Sequence, residues 1–273
     1  MTPDPDSHPP HLHDPHPRRP CPPCPHLRLD TADGIATVTL SNPAKRNAMT
    51  PAMWRELPRL LRRCAADTDV RALVLTGDGD TFCAGADISA LTEGDEASKG
   101  LAVAAEDALA GFPKPTVAAV RGYCVGGGCQ LAAACDLRFA AEEAFFGVTP
   151  ARLGIVYPPS STQRLVSLVG PSTAKYLLFS AELIDAGRAL RTGLVDEVLP
   201  GAELGKRVAE FARVLVSRSR LTQAAAKEFA AGPAEAERVA YWARQARESG
   251  EAAEGVAAFL ERREPRFGWA PGD

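Results

Sequence analysis

GYCVGGGCQLAAACDL, Gly122 to Leu137, is the stretch whose reading decides the fold. Gly126, Gly127 and Gly128 follow the apolar run Thr116 to Val120 and open an Ala-rich segment of high helix propensity, which predicts strand, tight turn and helix. Glycine admits backbone angles closed to other residues and lets a ligand approach the main chain. The first N–H groups of a helix have no partner inside it and carry partial positive charge, so an oxyanion beside the Gly127 N–H is stabilised where it forms. A close-packed corner is the plainer reading of three glycines. Phosphate-loop readings fail on spacing: there is no GxxxxGK[ST], and GYCVGGG is not GxGxxG.

A second segment tips the balance toward function. TFCAGADI, Thr81 to Ile88, follows the apolar run Ala72 to Leu75 and offers another backbone N–H, that of Ala86. Further out, LRLD and IATVTL read as two strands joined at Asp33 and Gly34. NPAKRNAM, Asn42 to Met49, is a polar loop, and Thr50 followed by Pro51 predicts an N-cap and first turn for a helix running to about Ala66. Ala72 to Thr76 reads as a buried strand and Gly77 to Asp80 as a turn. An acidic loop with Glu93, Asp95 and Glu96 reads as a mobile lid before a helical region at Ala97 to Ala110. Strand and helix keep alternating through Asp136 to Ala140 and Ala144 to Phe146, and from Ser160 the chain is mostly helical.

TFCAGADI, then GYCVGGGCQLAAACDL, then FFGVTPARLGIVYP with STQRL, resembles the crotonase (enoyl-CoA hydratase/isomerase) superfamily from about Leu27 to Phe267, with NPAKRNAM and FLERREPRF also in place. The resemblance implies an α/β fold, a spiral of ββα units ending in a helical trimerisation region. The expected organisation is a disordered tail over 1–26, a spiral core over 27–199 and a helical region over 200–273. It also implies an acyl-CoA substrate, with coenzyme A as part of the thioester and no separate cofactor, and a homotrimer or dimer of trimers. The Ala86 and Gly127 N–H groups become the two halves of an oxyanion hole. Ala84, Asp87 and Ile88 line the acyl-CoA path, and Lys45, Arg46, Arg262 and Arg263 are candidates for its phosphates. Asp136 is expected to tie down backbone.

Departures from the family pattern bear on the reaction. Hydratases of this family carry glutamates at the positions held here by Gln130 and Pro150, and an amide or a proline is no acid or base near neutral pH. The second position also carries the base in many 2-enoyl/3-enoyl isomerases. Gly147 to Pro158 instead resembles methylmalonyl-CoA decarboxylases of the same superfamily, sharing a Thr-Pro pair and a tyrosine at the spacing of Thr149, Pro150 and Tyr157. Loss of CO2 makes the enolate without a base. Tyr157 can then orient the carboxylate or protonate the enolate carbon, while Thr149 and Gln130 hydrogen-bond the departing carboxylate without repelling it. Those decarboxylases have a histidine where Ala86 stands here.

Composition narrows the remaining choices. The 273 residues carry 31 Lys and Arg against 34 Asp and Glu, a formal net charge of -3 that argues against nucleic acid. No apolar run has the length of a membrane span and no secretory leader is recognisable, so the cytoplasm is the expected compartment. The first 26 residues are crowded with Pro and His. Cys21 and Cys24 beside His8, His11, His13, His16 and His26 offer metal-ligand chemistry, but the spacing favours incidental composition and no metal site is expected. Because all five histidines lie there, a histidine triad or base in the folded body is excluded. Cys124 or Cys129 as nucleophile lacks a histidine to activate it.

Three functions stay open on these grounds: a lyase or related enolate enzyme, favouring decarboxylation of a malonyl-type thioester; a hydratase or isomerase with a base such as Glu106; and a catalytically silent acyl-CoA binder.

Overall fold

The structure of the chain, a computed structural model, describes residues 24–88 and 96–270, for 96–99 the backbone alone. The tail over 1–23, with Cys21 and four histidines, and the acidic loop at Glu93 and Asp95 lie outside the described residues. β1 (His26–Ala32) and β2 (Ile35–Ser41) pair antiparallel around Asp33 and Gly34. Their φ values of 51° and 78° suit the left-handed pair that a two-residue hairpin turn requires. β3 (Ala72–Gly77), β4 (Thr116–Val120), β6 (Leu137–Ala141) and β9 (Glu197–Leu199) extend the sheet in parallel, giving the order β1-β2-β3-β4-β6-β9.

A parallel sheet needs cover on both faces, and the alternation of side chains along its strands supplies it. Val74, Val117, Ala119, Phe139 and Ala141 meet Leu204, Val208 and Ala212 of α6 (Gly201–Ser217) on one face. Leu73, Leu75, Ala118, Val120 and Ala140 belong to the larger cluster on the other, with Met53, Leu57 and Leu61 of α1 (Pro51–Ala66) and Ala105 and Leu109 of α2 (Glu96–Ala110). The α1 entry is as expected: Thr50 accepts from Met53 N (3.3 Å) with Pro51 in the first turn.

The glycine turn differs from its expected setting. It does not follow β4 directly: the chain turns at Gly122 (φ 50°), where a Cβ would stand 2.4 Å from the Asp80 carbonyl oxygen, and enters a separate short strand, β5 (Tyr123–Val125). β5 runs parallel to β7 (Phe145–Gly147), which pairs antiparallel with β8 (Ile184–Asp185), so a second, three-stranded sheet carries the turn into α3 (Gly127–Ala134). Beyond it, α4 (Pro159–Ser180) consists of two helical segments that meet at a kink at Gly170 (φ 74°, ψ 164°). After α5 (Ala186–Arg191) and α6 come α7 (Arg220–Ala230), α8 (Ala236–Glu248) and α9 (Glu251–Glu261). Asp136 Oδ2 accepts from Thr116 N and Oγ1 (2.8 and 2.9 Å) and from Lys227 Nζ (2.8 Å), tying the start of β4 to α7.

Buried cysteines give the fold a pH signature. Burial pushes the thiols of Cys83 and Cys135 up to about 12 and that of Cys124 well above its ordinary value, while burial of Lys114, whose ammonium donates to the carbonyls of Cys64 and Asp67, lowers it to about 8. Thiols with raised folded values stabilise fully below about 9 and lose that stability as pH rises toward 12; depressed Lys114 acts oppositely between about 8 and 10.5. Each group changes stability by at most about 1.4 kcal/mol per pH unit. Unfolding free energy in urea is therefore expected to rise slightly to about pH 9 and fall beyond it. Cys135→Ala should make that fall shallower; an unchanged slope would remove the thiol from the account.

Candidate active site

The site is built from backbone. Cys83 pairs with Cys124 of β5, its N donating to the Tyr123 carbonyl (2.9 Å) and its carbonyl accepting from Val125 N (3.0 Å). Two residues on, Met49 N donates to the Gly85 carbonyl (2.8 Å) and Asp87 N to the Met49 carbonyl (2.9 Å). Ala86 is thus gripped on both sides while its own N–H has no backbone acceptor among the described residues. Gly127, the first residue of α3, also keeps a free N–H, as the first turn of a helix must. The two amides are neighbours, since a Cβ on Gly127 would lie 3.4 Å from Ala86 N and one on Gly85 would lie 3.7 Å from Gly127 N.

Each glycine of the turn has a distinct reason. Gly126 holds φ 55° and ψ −118°, which only glycine adopts without strain. A Cβ on Gly127 would stand 2.9 Å from Trp54 Cζ2, and one on Gly128 would stand 2.3 Å from the Cys83 carbonyl oxygen. α3 can therefore seat directly on the TFCAGADI segment.

Both amides face a cavity of about 660 Å3 with largely apolar walls from Met49, Trp54, Val103, Leu153 and Ile155. Ala84, Asp87, Ile88, Gln130, Thr149, Pro150 and Tyr157 line the same space, so the residues named from three distant segments come together. Tyr157 Oη, Thr149 Oγ1 and Gln130 Oε1 have no partner among the described residues, yet none is a buried orphan, and they open on the cavity. Burial first, then the neighbouring Cys129 and Glu106, push the Tyr157 phenol well above its ordinary value, so it is protonated at neutral pH.

Behind Gln130 lies a cluster that sequence reading missed. Glu106 of α2 is 1% exposed and forms an ion pair with Arg164 of α4, which also lies 3.5 Å from Asp107. Gln130 Nε2 donates to Glu106 Oε2 (2.5 Å) and to Ser161 Oγ (3.0 Å), and Ser161 itself donates to Glu106. Two expectations are corrected here. Glu106 does not line the cavity and so is no base for a substrate in it. Gln130 does not present its amide nitrogen to a departing carboxylate, because that nitrogen is committed inward and the side chain leaves an acceptor oxygen at the cavity.

The phosphate candidates are placed differently from the cavity residues. Lys45 Nζ is held by the Asp87 carboxylate (2.8 and 2.9 Å), and the Arg46 guanidinium stacks 5.0 Å from the Tyr123 ring centroid; neither lines the cavity. Arg263 is occupied by Glu254 (2.7 Å) and Glu261 (2.6 Å). His26 lies at the start of β1, its ring against the Cys24 carbonyl (2.8 Å). Cys124, buried and protonated, is no nucleophile. Asp107 and Trp54, which line the cavity, were not singled out by the sequence. A signal for them existed only in the helical spacing of α1 and α2, whose inward faces cover the glycine turn.

Comparison with known proteins identifies the family. Residues 30–269 match the enoyl-CoA hydratase/isomerase family model. The chain is 35% identical over 249 residues to the 2,3-dehydroadipyl-CoA hydratase of Escherichia coli K12, across 85% of this chain and 94% of that protein. It is 36% identical over 204 residues to the short-chain-enoyl-CoA hydratase of Clostridium acetobutylicum, across 70% and 75%. A solved enoyl-CoA hydratase/isomerase family member superposes with a TM-score of 0.87 at 38% identity, covering 92% of this chain and 100% of that one. The enoyl-CoA hydratase of Bacillus anthracis gives 0.81 at 30% identity, covering 88% and 98%. No helix among the described residues is long and apolar enough to cross a membrane. With a family model spanning most of its length and relatives above 30% identity, the chain belongs to the enoyl-CoA hydratase/isomerase family and has the crotonase fold.

Proposed function

We propose that this protein acts on acyl-CoA thioesters, holds a thioester enolate between the Ala86 and Gly127 N–H groups, and decarboxylates a malonyl-type CoA thioester. The observation that carries the reading is the Tyr157 hydroxyl: protonated, without a partner among the described residues, and in one cavity with the two free amides while positions 130 and 150 hold no carboxylate. A site with an oxyanion hole and a proton donor but no base at those positions suits an enolate formed by breaking a C–C bond. The bond to the carboxylate breaks, CO2 leaves, and the electron pair passes into the thioester as an enolate held by the two N–H groups. Tyr157 Oη–H then protonates the enolate carbon, and solvent returns the proton to the phenolate. Thr149 Oγ1 and Tyr157 Oη are the groups that hold the carboxylate beforehand. Assembly into trimers belongs to the same proposal, supported by the exposed Val256, Phe259 and Leu260 on α9.

A second reading, hydration of an enoyl-CoA, is favoured by one specific observation besides the hydratase names of the relatives: the half-exposed Asp107 carboxylate lines the cavity. It is the group placed to take a proton from water there. Mass spectrometry of the purified protein with methylmalonyl-CoA and with crotonyl-CoA, each against a no-enzyme control, separates the two. Loss of CO2 from the first without water added to the second is the expected result. Water added to crotonyl-CoA would overturn it, and binding of both without turnover would favour a silent binder.

A further inference from the structure

Glu106 is a buried carboxylate that the proposed reaction does not use, one side chain behind the cavity wall. Burying a charge is expensive unless it is paired and hydrogen-bonded, and this one is: Arg164 supplies the opposite charge, and Ser161 and Gln130 supply hydrogen bonds. An ionised carboxylate only accepts. The atom of the Gln130 amide that touches it must therefore be the nitrogen, and a planar amide with its nitrogen directed inward has its oxygen fixed as well. That oxygen opens on the cavity without a partner among the described residues.

Resting on the reading given above, we propose that Glu106 is a positioning residue: clamped by Arg164 and Ser161, it locks the Gln130 amide so that the reacting end presents an acceptor on the α3 side and donors on the Thr149 and Tyr157 side. An acceptor oxygen disfavours a carboxylate beside it. The carboxylate of a malonyl-type thioester is thus steered toward the two hydroxyls, where Tyr157 can hold it and later deliver its proton. Glutamine rather than glutamate at position 130 follows from the same contact, since two carboxylates at that distance cannot both ionise.

The test has two arms. In 15N-labelled protein, the side-chain amide of Gln130, identified by its disappearance in Gln130→Met, should show one proton shifted downfield and slow to exchange. Glu106→Gln removes the charge of the acceptor and should return that proton toward the ordinary position with faster exchange; Ser161→Ala should do so in part. An ordinary, fast-exchanging Gln130 amide in the unmodified protein, or one indifferent to Glu106→Gln, overturns the proposal. In the kinetic arm with methylmalonyl-CoA, Glu106→Gln should lower kcat about tenfold or more without raising KM, because an amide freed to turn its N–H groups outward binds the carboxylate in the wrong place. A raised KM at unchanged kcat would overturn the steering role. Should Glu106→Gln fail to fold, Ser161→Ala carries both arms. The amide measurement needs no turnover, so a protein that does not decarboxylate methylmalonyl-CoA would sink the proposed reaction while the lock on Gln130 is still decided.

Discussion

Gly127→Ala is expected to abolish turnover while leaving a folded protein. The added methyl would lie 2.9 Å from Trp54 Cζ2 and 3.4 Å from Ala86 N, in the space proposed for the thioester oxygen between two N–H groups. Removing one donor from such a hole costs about 10²- to 10³-fold in kcat, and a methyl that obstructs both should cost at least that. The clash with the indole edge requires the buried Trp54 ring to move, which costs some stability, but the partner is a side chain rather than main chain. Gly128→Ala makes the contrast, because its methyl would meet the Cys83 carbonyl oxygen at 2.3 Å, and both partners there are main chain. Overpacking of that kind costs about 1–3 kcal/mol or more. Thermal unfolding and turnover measured on both variants should separate them: lost activity with a modest drop in Tm for the first, a larger drop in Tm for the second. Full activity in Gly127→Ala would mean that the oxyanion lies elsewhere.

Tyr157→Phe should produce the second large effect. The ring keeps its place in the cavity wall, and only the hydroxyl goes. A positioned proton donor contributes about 10²- to 10⁴-fold, so kcat for decarboxylation is expected to fall within that range while KM changes by no more than about threefold. Stability gives an independent check. Since Tyr157 Oη has no partner among the described residues, its removal forfeits no hydrogen bond to them, and Tm should stay level or rise slightly. A drop in Tm at unchanged turnover would identify a structural tyrosine and leave the enolate carbon without its donor.

What sequence reading captured has local causes. The Asp33–Gly34 hairpin, the Thr50–Pro51 helix start and the apolar, buried β3 strand each depend on residues within a few positions of one another. The approach of Ala86 to Gly127 was foreseeable because glycine and small residues mark where backbone must come close to something. The step from β4 to β5 was hidden, because GY between two apolar runs does not reveal that the chain changes sheets at Gly122. Gln130 was placed in the cavity correctly but with the wrong end foremost. Its orientation is decided by Glu106 and Ser161, 24 and 31 residues away, and contacts across such separations leave no periodic trace. Lys45 and Arg46 were assigned by their place in a motif, whereas the folded chain gives them an acidic and an aromatic neighbour.

The backbone grip on Ala86, with Gly85 and Asp87 both bound to Met49, also bears on how such a protein changes over time. Neither of the groups proposed to bind the oxyanion belongs to a side chain, so no ordinary exchange at Ala86 deletes its donor. Positions 130, 149, 150 and 157 lie on α3 and the segment after β7 and can vary while those two donors stay where they are. Inheritance of the charge-binding corner is thereby uncoupled from selection on the groups that move protons. A lineage can lose one reaction and acquire another in a few substitutions, without passing through an ancestor that has ceased to bind its thioester.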